Sequence, residues 1–421
     1  MKQIRIFSIT LFCVALCFSG RLMAADWPMF HGPDGDNHSQ ETGLLTSWPE
    51  DGPKLLWQID GIGAEISGYS SVTIQNGRLF TTGSIDGKSI VYCFDLAGKK
   101  LWEYENGPVW EGSYHGTRST PTIDGDRVYD YSSLGELVCL NVETGQKIWG
   151  RNILADFEGE NIIWALAESI RIDGDVLYCQ PGGPKAAIVA LNKMTGELVW
   201  ATSSLGEKTS YTSPTLFTQD GLRILATMNA KGLVGVNADT GELLFTFEHL
   251  QRYDINCTRV LYHEGHLFIT NAATPPNKQG GVMLKVTVQG KKASVSEVWR
   301  NANFDNLHDS ILLLDGYLYG TSYEYKGGIF MCVDWKTGET VYEKRDVGKG
   351  SLTWAEGLIY FLSEKGDMLL IRPNPEEYTV VSRFNIQSAG EGPTWPHPVI
   401  CDKKLYIRHA TFLYCYDIAG E

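Results

Sequence analysis

Arg118, Glu168, Arg259, His308, Asp309 and His397 are the residues whose types and spacing can do chemistry in this sequence. They stand at positions that recur about every 40 to 50 residues, in stretches otherwise made of small and hydroxylated side chains. Aligned on the glycines of the turns that follow, three neighbouring registers emerge. One reads Tyr69, Arg118, Ala167, Tyr211, Cys257, His308, Lys349, Trp395; the next Ser70, Ser119, Glu168, Thr212, Thr258, Asp309, Gly350, Pro396. The third reads Ser71, Thr120, Ser169, Ser213, Arg259, Ser310, Ser351, His397. A guanidinium such as Arg118 or Arg259 can grip a ligand carboxylate with two parallel hydrogen bonds. Equally, the two can neutralise Glu168 and Asp309. With Trp164, Trp354 and Trp395 nearby, these groups would line one polar, aromatic channel, either as a ligand site or as ion pairs in a solvent-filled pore.

The positioning elements are repeats. Leu137-Val-Cys-Leu-Asn-Val-Glu-Thr-Gly-Gln-Lys-Ile-Trp149 reads as a strand of period two, a turn and a second strand ending on an indole. The phrase returns to end at Trp200, Phe245 and Tyr342, and more loosely at Trp102 and Trp299. The closing aromatics Trp102, Trp149, Trp200, Phe245, Trp299 and Tyr342 are 47, 51, 45, 54 and 43 residues apart. Strand-only repeats of that period indicate a β-propeller, in which no blade can bury both faces alone. Each closing aromatic is expected to dock on the next blade.

Counting inner strands gives eight four-stranded antiparallel blades, with seven as the alternative should residues 350–390 not form one. Lys54-Leu-Leu-Trp57-Gln-Ile59 looks like the last strand of a repeat whose first three strands lie at the C-terminus. Joining Asp417-Ile-Ala-Gly-Glu421 to Lys54-Leu-Leu-Trp57 reproduces Asp95-Leu-Ala-Gly-Lys-Lys-Leu-Trp102. The ring should therefore be all-β and closed non-covalently by residues 54–59, with Trp57 another docking residue. Blade five carries an insertion, Ala272 to Gly281, expected to be a surface loop.

Residues 1–25 have Lys2 and Arg5 before an apolar run and then Ala24-Ala25, the pattern of a secretory signal peptide cleaved near those alanines. Cys17 follows Leu16 rather than a small residue, which disfavours lipidation. Residues 26–53 read as an irregular, ordered lead-in rich in Trp, Pro and Gly. Within it Asp34-Gly-Asp-Asn-His38 reads as a turn rather than a calcium loop, because the distal bidentate Glu is missing. Without residues 1–25 the chain has 33 basic against 50 acidic residues, a charge of about −17. That excludes a nucleic-acid footprint, and no later stretch reaches the ~20 apolar residues of a spanning helix. Cys93, Cys139, Cys332 and Cys415 share one repeat register, so they point the same way and serve as small packing residues.

The unit strand–Asp/Asn-x-x-Thr-Gly-x-x-x-Trp resembles the tryptophan-docking motif of pyrroloquinoline quinone (PQQ)-type propellers over residues 54–421. The opening Asp26-Trp-Pro-Met-Phe-His-Gly-Pro33 is similar to exported PQQ-like repeat proteins of planctomycete-type bacteria. The resemblance implies two functional classes: PQQ-dependent alcohol dehydrogenases, and a lipoprotein that helps assemble outer-membrane barrels. For an enzyme it would imply calcium, with Glu168 or Asp309 as ligand or base, Arg118 or Arg259 on the cofactor carboxylates, and His308, His397, Trp354 and Trp395 around the ring system. The sequence has neither the adjacent-cysteine pair nor the long inter-blade insertions of those dehydrogenases, and no attached haem domain. The reading is therefore an exported monomeric scaffold or ligand-binding module acting through its channel mouth and loop faces. Its partner would be a protein, small molecule or glycan. The alternative is a small PQQ- and calcium-dependent alcohol dehydrogenase.

Overall fold

A computed structural model describes residues 26–420 apart from 64–67, 252, 273–278 and 324–326. The signal-peptide reading and most of the blade-five insertion lie outside the described residues. Eight antiparallel sheets succeed one another along the chain. Seven are assembled from consecutive strands, spanning residues 73–108, 122–152, 171–201, 215–248, 261–301, 311–344 and 350–385. The eighth comprises Val399–Cys401, Lys404–His409 and Phe412–Asp417, with Lys54–Ile59 as its outer strand. Lys54 pairs with Asp417 and Trp57 with Cys415, so the N-terminal strand closes the ring. Residues 350–385 form a full blade, which removes the seven-bladed alternative.

The repeated turn explains why these residues make these strands. In blade 2, Asn141 Oδ1 accepts the backbone N–H groups of Glu143 (3.1 Å) and Thr144 (2.9 Å), and Thr144 Oγ1 accepts that of Gln146 (3.3 Å). Asn192, Asn237 and Asp334 make the same pair of bonds in blades 3, 4 and 6. The short polar side chain thereby completes a turn that the backbone alone leaves open.

The turn glycine has a second role. A Cβ on Gly145 would lie 2.7 Å from the Trp102 ring, on Gly196 2.7 Å from Trp149, on Gly241 2.5 Å from Trp200 and on Gly338 2.4 Å from Trp299. Each indole lies on the turn of the following blade and donates its Nε1–H to a carbonyl there. Trp57 bonds Leu96, Trp102 bonds Val142, Trp149 bonds Lys193, Trp200 bonds Ala238 and Trp299 bonds Trp335, all at 3.0–3.1 Å. Phe245 packs into the apolar cluster shared with blade 5, and Tyr342 stands 5.8 Å from Tyr378 of blade 7.

Two features depart from the sequence reading. Blade 7 has five strands, because His38–Ser39 pairs in parallel with Gly350–Ala355 on its inner edge. Its outer strand also lacks the docking motif. There Trp48 of the lead-in fills the junction, 5.2 Å from Phe384 and 5.8 Å from Tyr360, within the apolar cluster joining blades 7 and 8.

Candidate functional site

The inner strands run in one direction, so the channel has a mouth, where residues such as Tyr69 and Lys349 stand, and a base, at turns such as Asn76-Gly77. The lead-in closes the base. Trp27 pairs with Ile74 of blade 1, and Pro28 O accepts the Ile123 N–H of blade 2 (2.7 Å). Asn37 O accepts the Trp354 N–H of blade 7 (2.8 Å), and the Glu41 carboxylate accepts the Asp402 N–H of blade 8 (2.8 Å). Between these anchors His31 and Gly32 take positive φ (70° and 84°), which turns His31 into the channel, where it is 2% exposed. A segment with Pro and Gly at these points can cross several blades without repeating structure of its own.

Inside the channel Asp309 is the hub. It accepts the Arg259 backbone N–H at 2.7 Å, lies 3.6 Å from Arg259 Nη1 and stands 3.2 Å from His31 Nε2. His397 donates its Nε2–H to the His308 carbonyl (2.7 Å) and packs 5.1 Å from the His31 ring. Burial pushes the Asp309 carboxyl up to about 6 against the pull of Arg259, and pushes the His397 imidazole down to about 3.

Asp309 does not keep the register inferred from sequence. Ser71, Thr120 and Ser169 each donate a backbone N–H to a hydroxyl of the next blade: Thr120 Oγ1 (3.0 Å), Ser169 Oγ (3.0 Å) and Ser213 Oγ (2.9 Å). His397 N–H closes the series on Ser71 Oγ (2.8 Å). Asp309 takes this hydroxyl place in blade 6, one position earlier than Ser310, because its φ of +55° re-aims the strand. The small polar residues near the axis thus stitch blade to blade.

Glu168, aligned with Asp309 by sequence, has a different place. It is completely buried, its Oε2 accepts the Gln180 N–H (3.0 Å), and burial raises its pKa to about 8. Among the described residues no ion pair joins it to an arginine, so of the two neutralisations expected of Arg118 and Arg259 the structure contains that of Asp309, by Arg259. Trp354 and Trp395 do not share one site either. Trp354 lies toward the base with His38 against it (5.1 Å), whereas Trp395 is at the mouth.

The mouth gathers Tyr69 and Tyr114, each 4.9 Å from Trp395, with Trp164 6.4 Å from Tyr211. Arg118 lies 5.6 Å from the Tyr69 centroid and donates to the carbonyls of Gly116 (2.7 Å) and Tyr114. Burial lowers its pKa to about 10, and it remains a cation at neutral pH with no ion pair among the described residues. Opposite it, Glu364 receives three donors: His308 Nε2 (2.9 Å), Trp395 Nε1–H (2.9 Å) and Lys349 Nζ (3.1 Å). Burial alone would raise this carboxyl, but His308, the indole and Lys349 hold it at about 2. Sequence inspection missed Glu364 because it follows the second strand of blade 7, outside the inner registers. The available signal was a Ser-Glu-Lys-Gly turn beside Lys349 in the first register.

No group of three or more His, Cys, Asp or Glu side chains suited to a metal occurs among the described residues, and no helix there is long and apolar enough to cross a membrane. All seven described cysteines are free.

Outer membrane protein assembly factor BamB of Yersinia pestis is 23% identical over 282 residues, 65% of this chain and 67% of that protein. Its Shewanella oneidensis counterpart is 24% identical over 263 residues, 60% and 62% of the two chains. Among solved structures, BamB from Moraxella catarrhalis superposes with a TM-score of 0.59 at 15% identity, covering 87% of this chain and 98% of that one. Quinohemoprotein alcohol dehydrogenase from Comamonas testosteroni gives 0.65 at 11%, covering 94% and 81%. These two likenesses are of fold. A family model described as outer membrane protein assembly factor BamB matches residues 34–180 and 164–375, most of the ring, and the chain belongs to that family.

Proposed function

We propose that this protein is an exported scaffold that receives a polypeptide segment at the mouth of its channel and performs no bond-making step. The observation that carries the reading is the asymmetry of the channel. Its base is closed by the chain's own lead-in, while its mouth offers half-buried and exposed rings around a cation, with Tyr114, Tyr253 and Ile163 all more than two-fifths exposed. Exposed rings on a rigid rim bind extended chains at small entropic cost, since each has two side-chain torsions to fix. The relatives named as assembly factors favour a polypeptide as the occupant over a small molecule or glycan. Export follows from the N-terminal pattern and is tested by the mass of the mature protein, expected to begin near Asp26.

The residues present do not fit PQQ with calcium. Trp395 already has Tyr69 and Tyr114 packed against it, Asp309 is engaged by Arg259 and His31, and Glu168 is enclosed in blade 3. Among the described residues no cluster of carboxylates remains at the mouth to share a cation.

The test is binding of unfolded outer-membrane-type and control polypeptides by the mature protein, compared with a Tyr114→Ala/Trp395→Ala variant. At least a tenfold loss of affinity is expected at a temperature where circular dichroism shows the variant still folded. Equal binding by both proteins would remove the mouth as the site, and saturable heat with PQQ and calcium would move the reading to the quinoprotein class.

A further inference from the structure

Beneath the lead-in, between the inner strands of blades 3, 4 and 5, lies a cavity of about 50 Å³. Met29, His31, Ser169, Arg171, Ser213 and Arg259 are among the residues that line it. Arg259 is 4% exposed, and its Nη2 has no hydrogen-bond partner. Arg171 reaches the same cavity from blade 3; its Nε is likewise buried and unpartnered, and its Nη1 meets only the weakly accepting Met29 sulfur at 3.2 Å.

The two serines in the lining also have donors to offer. Ser169 Oγ accepts the Thr120 N–H and Ser213 Oγ accepts the Ser169 N–H, which leaves each hydroxyl proton to donate elsewhere. The nearest buried carboxylate, Asp309, serves one guanidinium, Arg259, and stands beside His31. Asp34 lies at the exposed rim and forms no ion pair with Arg171 within 4 Å. Arg259 thus has Asp309 beside it and Asp36 farther off, and half-buried Arg171 feels Asp173 and Asp34 without an ion pair to either, so part of the positive charge meets the cavity with no bonded counter-charge. Such a charge is costly unless a counter-charge joins it. Water brings as many donors as acceptors, whereas an anion brings only acceptance, matching the unfilled guanidinium and hydroxyl donors that face the cavity.

We propose that a small monovalent anion of the halide class occupies this cavity, bridging Arg171 and Arg259 and locking the lead-in over the base of the channel. Size agrees: a water needs about 10–15 Å³ of such space, so about 50 Å³ accommodates a monatomic ion with one or two waters and little more. The inference is independent of what binds at the mouth.

Thermal unfolding at constant ionic strength, in sodium chloride or bromide against sodium gluconate, tests it. A saturable rise in Tm with either halide is expected, as for any ligand that binds only the folded state. The rise should vanish in Arg171→Gln and persist in Asp34→Asn, whose substitution removes a competing negative charge. Equal Tm in halide and gluconate, or an undiminished halide effect in Arg171→Gln, would overturn the proposal. Should Arg171→Gln not fold, crystals of the wild-type protein soaked in bromide decide the matter. An anomalous peak between the two guanidiniums supports the ion, and density without anomalous signal, meaning water, refutes it.

Discussion

Glu168 shows what burial does to a single group. Its pKa is raised to about 8 in the folded protein, against about 4.3 in an unfolded chain. Between those values the folded state holds a proton that the unfolded state has lost, so stability falls as pH rises through this window. Asp130 and Asp309, both raised by burial to about 6, act in the same direction up to that pH. The buried imidazoles of His31, His249 and His397 are lowered and act oppositely, losing stability as pH falls below about 6.5. Between roughly pH 6.5 and 8 Glu168 therefore acts alone among these six groups. The unfolding free energy from urea titrations should decline across that interval, by up to about 1.4 kcal/mol per pH unit, and Glu168→Gln should flatten the decline. A slope unchanged in the variant would refute this assignment. The thiols make a second residue-scale prediction. Burial raises Cys93 and Cys415 to about 12 and Cys332 to about 11, so Ellman's reagent should leave all three unmodified in the native protein and react with them after unfolding. Gly338 and Gly316 separate conformation from contact. Both have positive φ, but only Gly338 lies under an indole, while a Cβ on Gly316 meets nothing within 4 Å. Gly316→Ala should cost about 1–2 kcal/mol and Gly338→Ala about 3 kcal/mol or more, read from denaturant midpoints.

At the scale of elements, strands and turns were legible wherever the determinant is local. Asn141, Thr144 and Gly145 specify their turn through bonds no more than three residues long, and the same three positions can be read in the copies of blades 3, 4 and 6. Trp149 was legible as a docking residue because its partner turn recurs one repeat later. The lead-in was not legible, because its structure is borrowed. His38–Ser39 becomes a strand only because the inner edge of blade 7 is there to pair with it, and Trp48 is buried only because blade 7 lacks its own docking aromatic. Asp309 misled for a related reason: a single positive φ moved its side chain into a neighbouring register, which no periodicity can reveal. The lead-in's dependence on the ring is testable from either side. Removing residues 26–40 should expose the inner edge of Gly350–Ala355 and release the Trp354 N–H from Asn37 O, giving at least a hundredfold faster exchange of that amide. Trp48→Ala should cost about 3–5 kcal/mol by leaving a cavity between blades 7 and 8. Protection at Trp354 that survives the deletion would mean that the strand pairing contributes little.

The whole molecule is a ring with one seam. Seven blades are continuous in sequence, but the eighth is held by the ladder from Lys54–Ile59 to Phe412–Asp417 and by the docking of Trp57 on blade 1. Trp57 and Trp102 make equivalent contacts, each donating to a carbonyl of the next blade, at 3.0 and 3.1 Å. Removing either indole deletes similar apolar contact, so Trp57→Ala and Trp102→Ala should lose comparable equilibrium stability, about 3–5 kcal/mol. Their kinetics should differ. When Trp102 is lost, blades 1 and 2 remain joined through the chain, and local opening must distort a closed circle. When Trp57 is lost, the strand that carries it can peel from blade 8 and open the ring without first unfolding a complete blade. The expected result is faster unfolding in Trp57→Ala than in Trp102→Ala at matched stability, together with loss of amide protection over 54–59 and 412–417 before any other outer strand. Because the lead-in is the chain immediately preceding that strand, with Leu44 paired to Ala419 and Leu45 N–H bonded to Ile418 O, it resists peeling as well as covering the base. Deleting residues 26–46 in the Trp57→Ala background should therefore accelerate unfolding by more than the product of the separate effects. Equal unfolding rates for the two tryptophan variants would show that the seam is no weaker than the rest of the ring.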